Sequence, residues 1–452
     1  MKKLTLISAL SLAFATQGAM AAVSPEEAAK LTKELTPVGA ERGANADGSI
    51  PAWTGGITGP VAGFKKGQHH LDPFSDDQVL YTITKDNVAQ YKDNLTPGQV
   101  KLFETYPDTF KMNVYPTRRS ASLPSHVYTA IAENATKAEL VLGGNGIANA
   151  VMGIPFPIPK SGLEVIWNHI TRYRGVSANI TASQAAPTAS GDYTLMEMKN
   201  SIHFKYTEEG MTAEKLTKDN VIFKYKQIIT QPARLAGTSL LVHETLNQDD
   251  EARKAWTYNT GQRRVRRAPN VAFDAPGTAT DGLRTTDDFD MYNGSPSRYN
   301  WKLVGKKEVL IPYNSYKLHA KGLDYDDLIK PGHINQEYVR YEKHRVWQVE
   351  ATLKEGMRHT YKKRVFFIDE DNWQVSIADI YDNRDELYRV AMAHELNYYE
   401  LPASWSTLEV FHDLQARRYL VQGLDNHSKM YNFDAKLKDK EFTSSALRRA
   451  GR

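Results

Sequence analysis

Between Arg345 and about Ala393, apolar and polar residues alternate in short runs that break at acidic and glycine-bearing turns, and this pattern constrains the chain more than any other feature. A period of two puts successive side chains on opposite faces of a strand. Trp347, Val349, Ala351 and Leu353 fall on one face, with Val346, Gln348, Glu350 and Thr352 on the other, and Glu355-Gly356 makes the turn. The returning strand runs from about His359 to Ile368, through Val365 and Phe367, and reverses at Asp369-Glu370-Asp371-Asn372. Trp373, Val375 and Ile377 share a face of the third strand, and Asp382-Asn383-Arg384-Asp385 leads into a fourth through Tyr388 and Val390. The expectation is a meander of consecutive antiparallel strands. Earlier strands are expected at Ser201 to Tyr206, Val221 to Ile229, Ser239 to Glu244, Arg253 to Tyr258, Arg263 to Arg267 and Trp301 to Ile311.

Helices are short and few. Ser24-Pro25-Glu26-Glu27 opens one with a serine cap, a proline in the first turn and acids beside it, ending near Thr36-Pro37. Residues 86 to 105 read as two short helices with a restart at Thr96-Pro97. Leu163, Ile166, Trp167, Ile170 and Tyr173 recur at helical spacing, giving an amphipathic helix that stops at Gly175. Gly143 to Gly162, with Pro155, Pro157 and Pro159, reads as a rigid extended connection, and Ser177 to Asp192 as a linker or exposed loop. The fold class is therefore mainly β with some α. Residues 22–192 form a glycine- and proline-rich helical region packing on the sheet of residues 193–452, within one continuous domain.

The N-terminus reads as a secretory signal. Lys2 and Lys3 precede an apolar run from Leu4 to Ala15, and Ala19-Met20-Ala21 offers a small-x-small cleavage site. This stretch of twelve residues spans only about 18 Å as a helix, short of a ~30 Å hydrocarbon core, so cleavage after Ala21 is favoured over an anchor. With no cysteine among 452 residues, disulfides, thiolate metal sites, thiol nucleophiles and lipidation of an N-terminal cysteine are excluded. Fifty-seven Lys and Arg against 53 Asp and Glu leave +4, which gives no argument for nucleic acid. Gly144-Asn145-Gly146 lacks the third glycine of a dinucleotide fingerprint, and no Gly-x-Ser-x-Gly or His-Glu-x-x-His motif occurs. Asp324, Asp326 and Asp327 lack the glycine and distal glutamate of a calcium loop. No catalytic constellation, metal or cofactor is therefore expected. Arg263, Arg264, Arg266 and Arg267 lie on a strand–turn–strand and read as arginines that point to solvent or pair with Asp287, Asp288 and Asp290, or as a contact for anionic lipid or a partner.

Several blocks carry a family likeness. Thr36-Pro37-Val38-Gly39-Ala40-Glu41-Arg42 followed by Asn45 to Gly56, Pro155-Phe156-Pro157-Ile158-Pro159, Ile166-Trp167-Asn168-His169, Gly261 to Pro269, and Phe367-Ile368-Asp369-Glu370-Asp371 together resemble the proteobacterial domain-of-unknown-function 1329 family. The resemblance covers essentially the whole chain after residue 21. It implies a fold like the outer-membrane lipoprotein carriers LolA and LolB, an incomplete antiparallel barrel with short helices covering an apolar cavity, and no assigned reaction. It also implies a periplasmic role beside an inner-membrane resistance-nodulation-division type exporter and an outer-membrane companion protein.

A carrier needs an apolar concave face that shields an insoluble ligand from water. Trp347, Val349, Leu353, Val365, Phe367, Trp373, Val375 and Ile377 are the candidates to line such a cavity, and the helices at 86 to 105 and 163 to 174 are candidate covers. The same residues could instead fill a closed core, which would suit a scaffold in an envelope complex. A secreted hydrolase is a weaker third reading.

Overall fold

The computed structural model describes residues 23–268, 271 and 273–451, so the expected signal at 1–21 lies outside the described residues. The strands are β1 (Tyr81–Ile83), β2 (Met112–Val114), β3 (Glu139–Val141), β4 (Gly146–Ala148), β5 (Ser177–Ala185), β6 (Met196–Phe204), β7 (Val221–Ile229), β8 (Ser239–Thr245) and β9 (Lys254–Asn259). They continue with β10 (Arg264–Arg267), β11 (Tyr299–Pro312), β12 (Tyr341–Leu353), β13 (Lys363–Asp369), β14 (Val375–Tyr381), β15 (Leu387–Tyr398), β16 (Ala403–Asp413) and β17 (Arg418–Leu424). The helices are α1 (Pro25–Ala28), α2 (Pro97–Thr105), α3 (Ser125–Asn134), α4 (Gly162–Thr171), α5 (Ala213–Asp219), α6 (Tyr325–Leu328) and α7 (Ser444–Ala450).

Fifteen strands make one sheet in the order β1-β2-β12-β13-β14-β15-β16-β17-β5-β6-β7-β8-β9-β10, with β11 paired to β12, while β3 and β4 form a separate hairpin. Every pairing is antiparallel except a single parallel contact of Tyr341 with Val114. The expected meander is present as β12 to β15, each strand paired with the next. The sheet is open at both ends of this order, and it curls. β13 and β7 are seven places apart, which in a flat sheet would separate them by roughly 33 Å. Yet Asp287 contacts Arg364 of β13 at 2.8 Å while Phe289, two residues on, lies 5.3 Å between ring centroids from Tyr225 of β7. Only a strongly curved sheet lets one short segment touch both.

Both faces of the meander are buried, which strict polar/apolar alternation does not anticipate. The inner face carries Val349, Ala351, Phe366, Ile368, Ala378, Ile380, Ala391 and Ala393 against α4. The outer face carries Val346, Val365, Phe367, Ile377, Val390 and Met392 against Leu102 and Phe103 of α2. Thus the two expected helices at 86 to 105 do form, as a 3₁₀ turn at Val88–Asn94 and α2 with its Thr96 capping box, but they cover the outer face and not the concave one.

Three other expectations are corrected. α4 is buried from Glu164 through Thr171, so it is an interior helix and not an amphipathic lid. Gly162 permits this, because a Cβ there would come within 3.0 Å of the Lys302 backbone in β11. Ser177 to Ala185 is strand β5 in the middle of the sheet, not a linker. Its small side chains hide the pattern, and the neighbouring β17 and β6 supply the ladder. The first helix stops at Ala28, well short of Thr36.

Candidate functional site

The eight proposed cavity residues do not share a face. Trp347, Val349, Leu353, Trp373 and Val375 pack into the inner core, whereas Val365, Phe367 and Ile377 pack into the outer one. A bulge explains the third strand: Phe367 pairs with Ile377 but Ile368 pairs with Val375, so one extra residue turns Val375 to the opposite side from Ile377. Trp373 precedes β14 at φ 63° and donates its Nε1–H to the Val38 carbonyl at 3.0 Å. Beneath the meander the inner face is closely filled by α4. Trp373 borders a small crevice of about 10 Å³.

The open part of the inner face lies elsewhere, over β16, β17, β5, β6 and β7, a region the alternation argument passed over. A cavity of about 160 Å³ sits there, floored by Ile180, Ala182, Met198 and Ile202 and walled by Trp405 and Tyr225. A segment between β10 and β11, described from Phe273 to Arg298, straps across it with Arg284, Phe289 and Asp290 turned to the cavity. Phe289 and Tyr225 separate this chamber from a second of about 80 Å³ reaching Leu240 and Val242 of β8.

The strap is held by buried charge. Asp287 accepts from His359 at 3.0 Å and from Arg364 at 2.8 Å, and Asp288 accepts from the Tyr361 hydroxyl at 2.9 Å. Asp290 takes a two-pronged contact from Arg172 at 2.6 and 2.9 Å and another from Arg174. Burial alone would raise the Asp290 carboxyl, but these guanidinium groups hold it down to about 2. His169 on α4 is pushed down to about 3 by burial and by Arg172, so it is neutral. Its Nε2–H donates to the Asp290 carbonyl at 2.8 Å, and its Nδ1 accepts from the Val375 N–H at 3.1 Å. One neutral ring thereby ties helix, strap and sheet together. These aspartates are therefore committed to the interior, which corrects the expectation that they pair with the Arg263–Arg267 run. Arg263, Arg264, Arg266 and Arg267 are exposed on β10 and the turn before it, at an edge of the sheet.

The cavity is polar as well as apolar. Glu409 on β16 is pushed up to about 8 by burial and by the nearby Asp290 charge, so it is largely a neutral acid at pH 7. Arg284 Nη1 donates to the Thr285 carbonyl at 3.2 Å. Among the described residues, Arg174 Nε, Arg284 Nε, Gln227 Oε1, Trp405 Nε1 and Ser406 Oγ are buried with no hydrogen-bond partner. Five such atoms border this one chamber. None has a signal in local sequence, because the segments that carry them come together only through the curl.

An open, curled antiparallel sheet with an interior helix and a charged strap across its concave face is the framework in which the chamber sits. The chain belongs to the family described as protein of unknown function DUF1329, whose profile matches residues 82–448. An uncharacterized protein of Pseudomonas aeruginosa is 53% identical over 446 residues, covering 98% of this chain and 97% of that one. Among solved structures, a DUF1329 family protein from Desulfovibrio piger is similar at 16% identity with a TM-score of 0.42, covering 61% of this chain and 92% of that one. A LolA superfamily protein from Nitrosomonas europaea is similar at 13% identity with a TM-score of 0.39, covering 64% of this chain and all (100%) of that one. No helix of the described residues is long and apolar enough to cross a membrane.

Proposed function

We propose that this protein is a non-enzymatic periplasmic carrier that binds an amphiphilic lipid or lipid-like molecule on its concave face. The carrying observation is the chamber under the strap, apolar along β5 and β6 and ringed by buried polar atoms that lack partners. An apolar chain would lie against Ile180, Met198 and Ile202, and a polar head would meet Arg284, Trp405 Nε1 and Ser406. With Glu409 neutral and Arg174 paired to Asp290, Arg284 contributes the remaining positive charge, which favours an anionic head. An apolar cavity of about 150 Å³ can hold benzene, so a chamber of 160 Å³ takes one part of an amphiphile at a time. Entry of a full chain requires Phe289 to swing aside and join the two chambers. The N-terminal signal pattern supports a site of action outside the cytoplasm.

The filled core under the meander fits the scaffold reading for that half of the sheet; the chamber in the other half favours binding. The test is native mass spectrometry of protein purified from periplasm, followed by lipid extraction, with Ala182→Trp as the comparison. The indole fills the chamber at a cost of about 1–3 kcal/mol, leaving the fold intact. We expect bound lipid in the wild type and loss of fluorescent fatty-acid uptake in the variant. A wild type that neither carries nor takes up lipid, or a variant with unchanged uptake, refutes the carrier.

A further inference from the structure

A second polar cluster lies at the β13–β14 turn, outside the chamber. His344 of β12, Asp369 at the end of β13 and Asp371 in the turn offer donor atoms that all lie within 4.8 Å of one another, and all three residues are buried. We propose that these three side chains form a binding site for a divalent first-row cation such as Zn²⁺ or Mn²⁺, which staples the turn to β12.

The argument rests on where each lone pair points. His344 directs Nε2 to Glu342 at 3.1 Å, an acceptor that fixes the proton there and leaves Nδ1 as a bare donor facing Asp369 Oδ1 at 3.7 Å. That carboxylate–imidazole arrangement is how metal-bound histidines are commonly oriented. Asp369 is completely buried, and its Oδ1 has no hydrogen-bond partner among the described residues. Arg119 grips Asp371 through Nη2 and Nε at 2.7 and 2.8 Å, orienting that carboxylate and leaving its outer lone pairs available. Tyr313 stacks on the imidazole at 4.0 Å between centroids and closes the far side.

Charge matching points the same way. Glu370 is met by Lys306 at 2.7 Å and Arg345 at 3.4 Å, and Glu342 by Arg340 at 2.5 Å. Asp369 and Glu395 have no lysine or arginine within the 4.0 Å of an ion pair among the described residues; Glu395 is held by Asn372 at 2.6 Å and Ser376 at 3.0 Å. Of the two, only Asp369 has an unpartnered oxygen in the cluster, and a divalent ion there would supply the missing partner. Ligands about 2.1 Å from such an ion sit roughly 3.4 Å apart, so the donors close by about 1 Å on loading. One imidazole with carboxylates suits a first-row ion better than calcium. The spacing 344, 369, 371 matches no sequence motif, because the ligands come from two strands and the turn that follows them.

The test uses the whole secreted chain. After dialysis against EDTA and re-exposure to Zn²⁺, Mn²⁺ or Ca²⁺ in turn, elemental analysis of desalted protein should find about one equivalent of Zn²⁺ or Mn²⁺, with a Tm rise of at least about 3 °C. Asp369→Asn keeps the shape and removes the charge, and it should hold under a tenth as much ion. Co²⁺ added to the wild type should give visible d–d bands that are lost in His344→Gln, which keeps the site assignable even if Asp369→Asn does not fold. No retained ion and no Tm shift in the wild type, equal loading of Asp369→Asn, or preference for Ca²⁺ would each overturn the proposal.

Discussion

A single carboxyl sets the charge of the chamber. Glu409 sits on β16 with Gln422 donating to it at 2.5 Å, and burial lifts it from 4.5 to about 8. Below about pH 4.5 both folded and unfolded chains hold its proton, so it has no effect on stability. Between there and about pH 8 the unfolded chain has released the proton while the folded one keeps it, so stability falls as pH rises and levels off above the folded value. Glu409→Gln removes that loss. Its unfolding free energy from urea titration should match the wild type near pH 4.5 and exceed it by an amount that grows toward pH 8, up to a few kcal/mol. A difference that is constant with pH would show that Glu409 is ionised in the fold. Nothing in the local run Leu408-Glu409-Val410 distinguishes this acid from a solvated one.

At the scale of elements, α2 depends on a glycine. Gly98 and Thr96 both donate to Asp379 of β14, at 2.9 and 3.1 Å, and burial raises that carboxyl to about 7 despite these donors. A Cβ at Gly98 would lie 2.1 Å from Asp379 Oδ1 and 2.8 Å from Val390 Cγ2. Gly98→Ala should therefore cost about 2 kcal/mol in urea unfolding and speed amide exchange across residues 97–105, because the helix must lift off the sheet. The helix itself was legible from Thr96-Pro97, as were the meander strands from their alternation and turns. What alternation could not reveal is which partner covers each face. Ile377 and Phe367 look like Trp347 and Val349 in the sequence, yet α2 and α4 bury them on opposite sides. β5 escaped notice because alanine and serine carry little periodicity, although those small residues leave room for the chamber. The chamber's polar residues were invisible for a related reason: Arg284 and Glu409 are 125 positions apart and meet only when the sheet curls.

For the whole molecule, the strap bridges the two sides of the curl. Asp290 joins two buried arginines on the chain just after α4 to a segment that also contacts β13 and β7. Asp290→Ala leaves Arg172 and Arg174 without their shared carboxylate, which should cost about 3 kcal/mol or more. Hydrogen exchange should rise across residues 284–293 and on the facing β6 and β7, and small-angle scattering should report a larger radius. Unchanged exchange there would mean that the sheet holds its curl without the strap. The same openness leaves a margin. A sheet that never closes ends in a row of unsatisfied backbone groups, and such rows recruit further strands. Here the β10 end presents Arg264, Arg266 and Arg267 outward, so a second copy approaching that margin would bring like charge against like. Repulsion at that rim would oppose growth of the open sheet by addition of further copies.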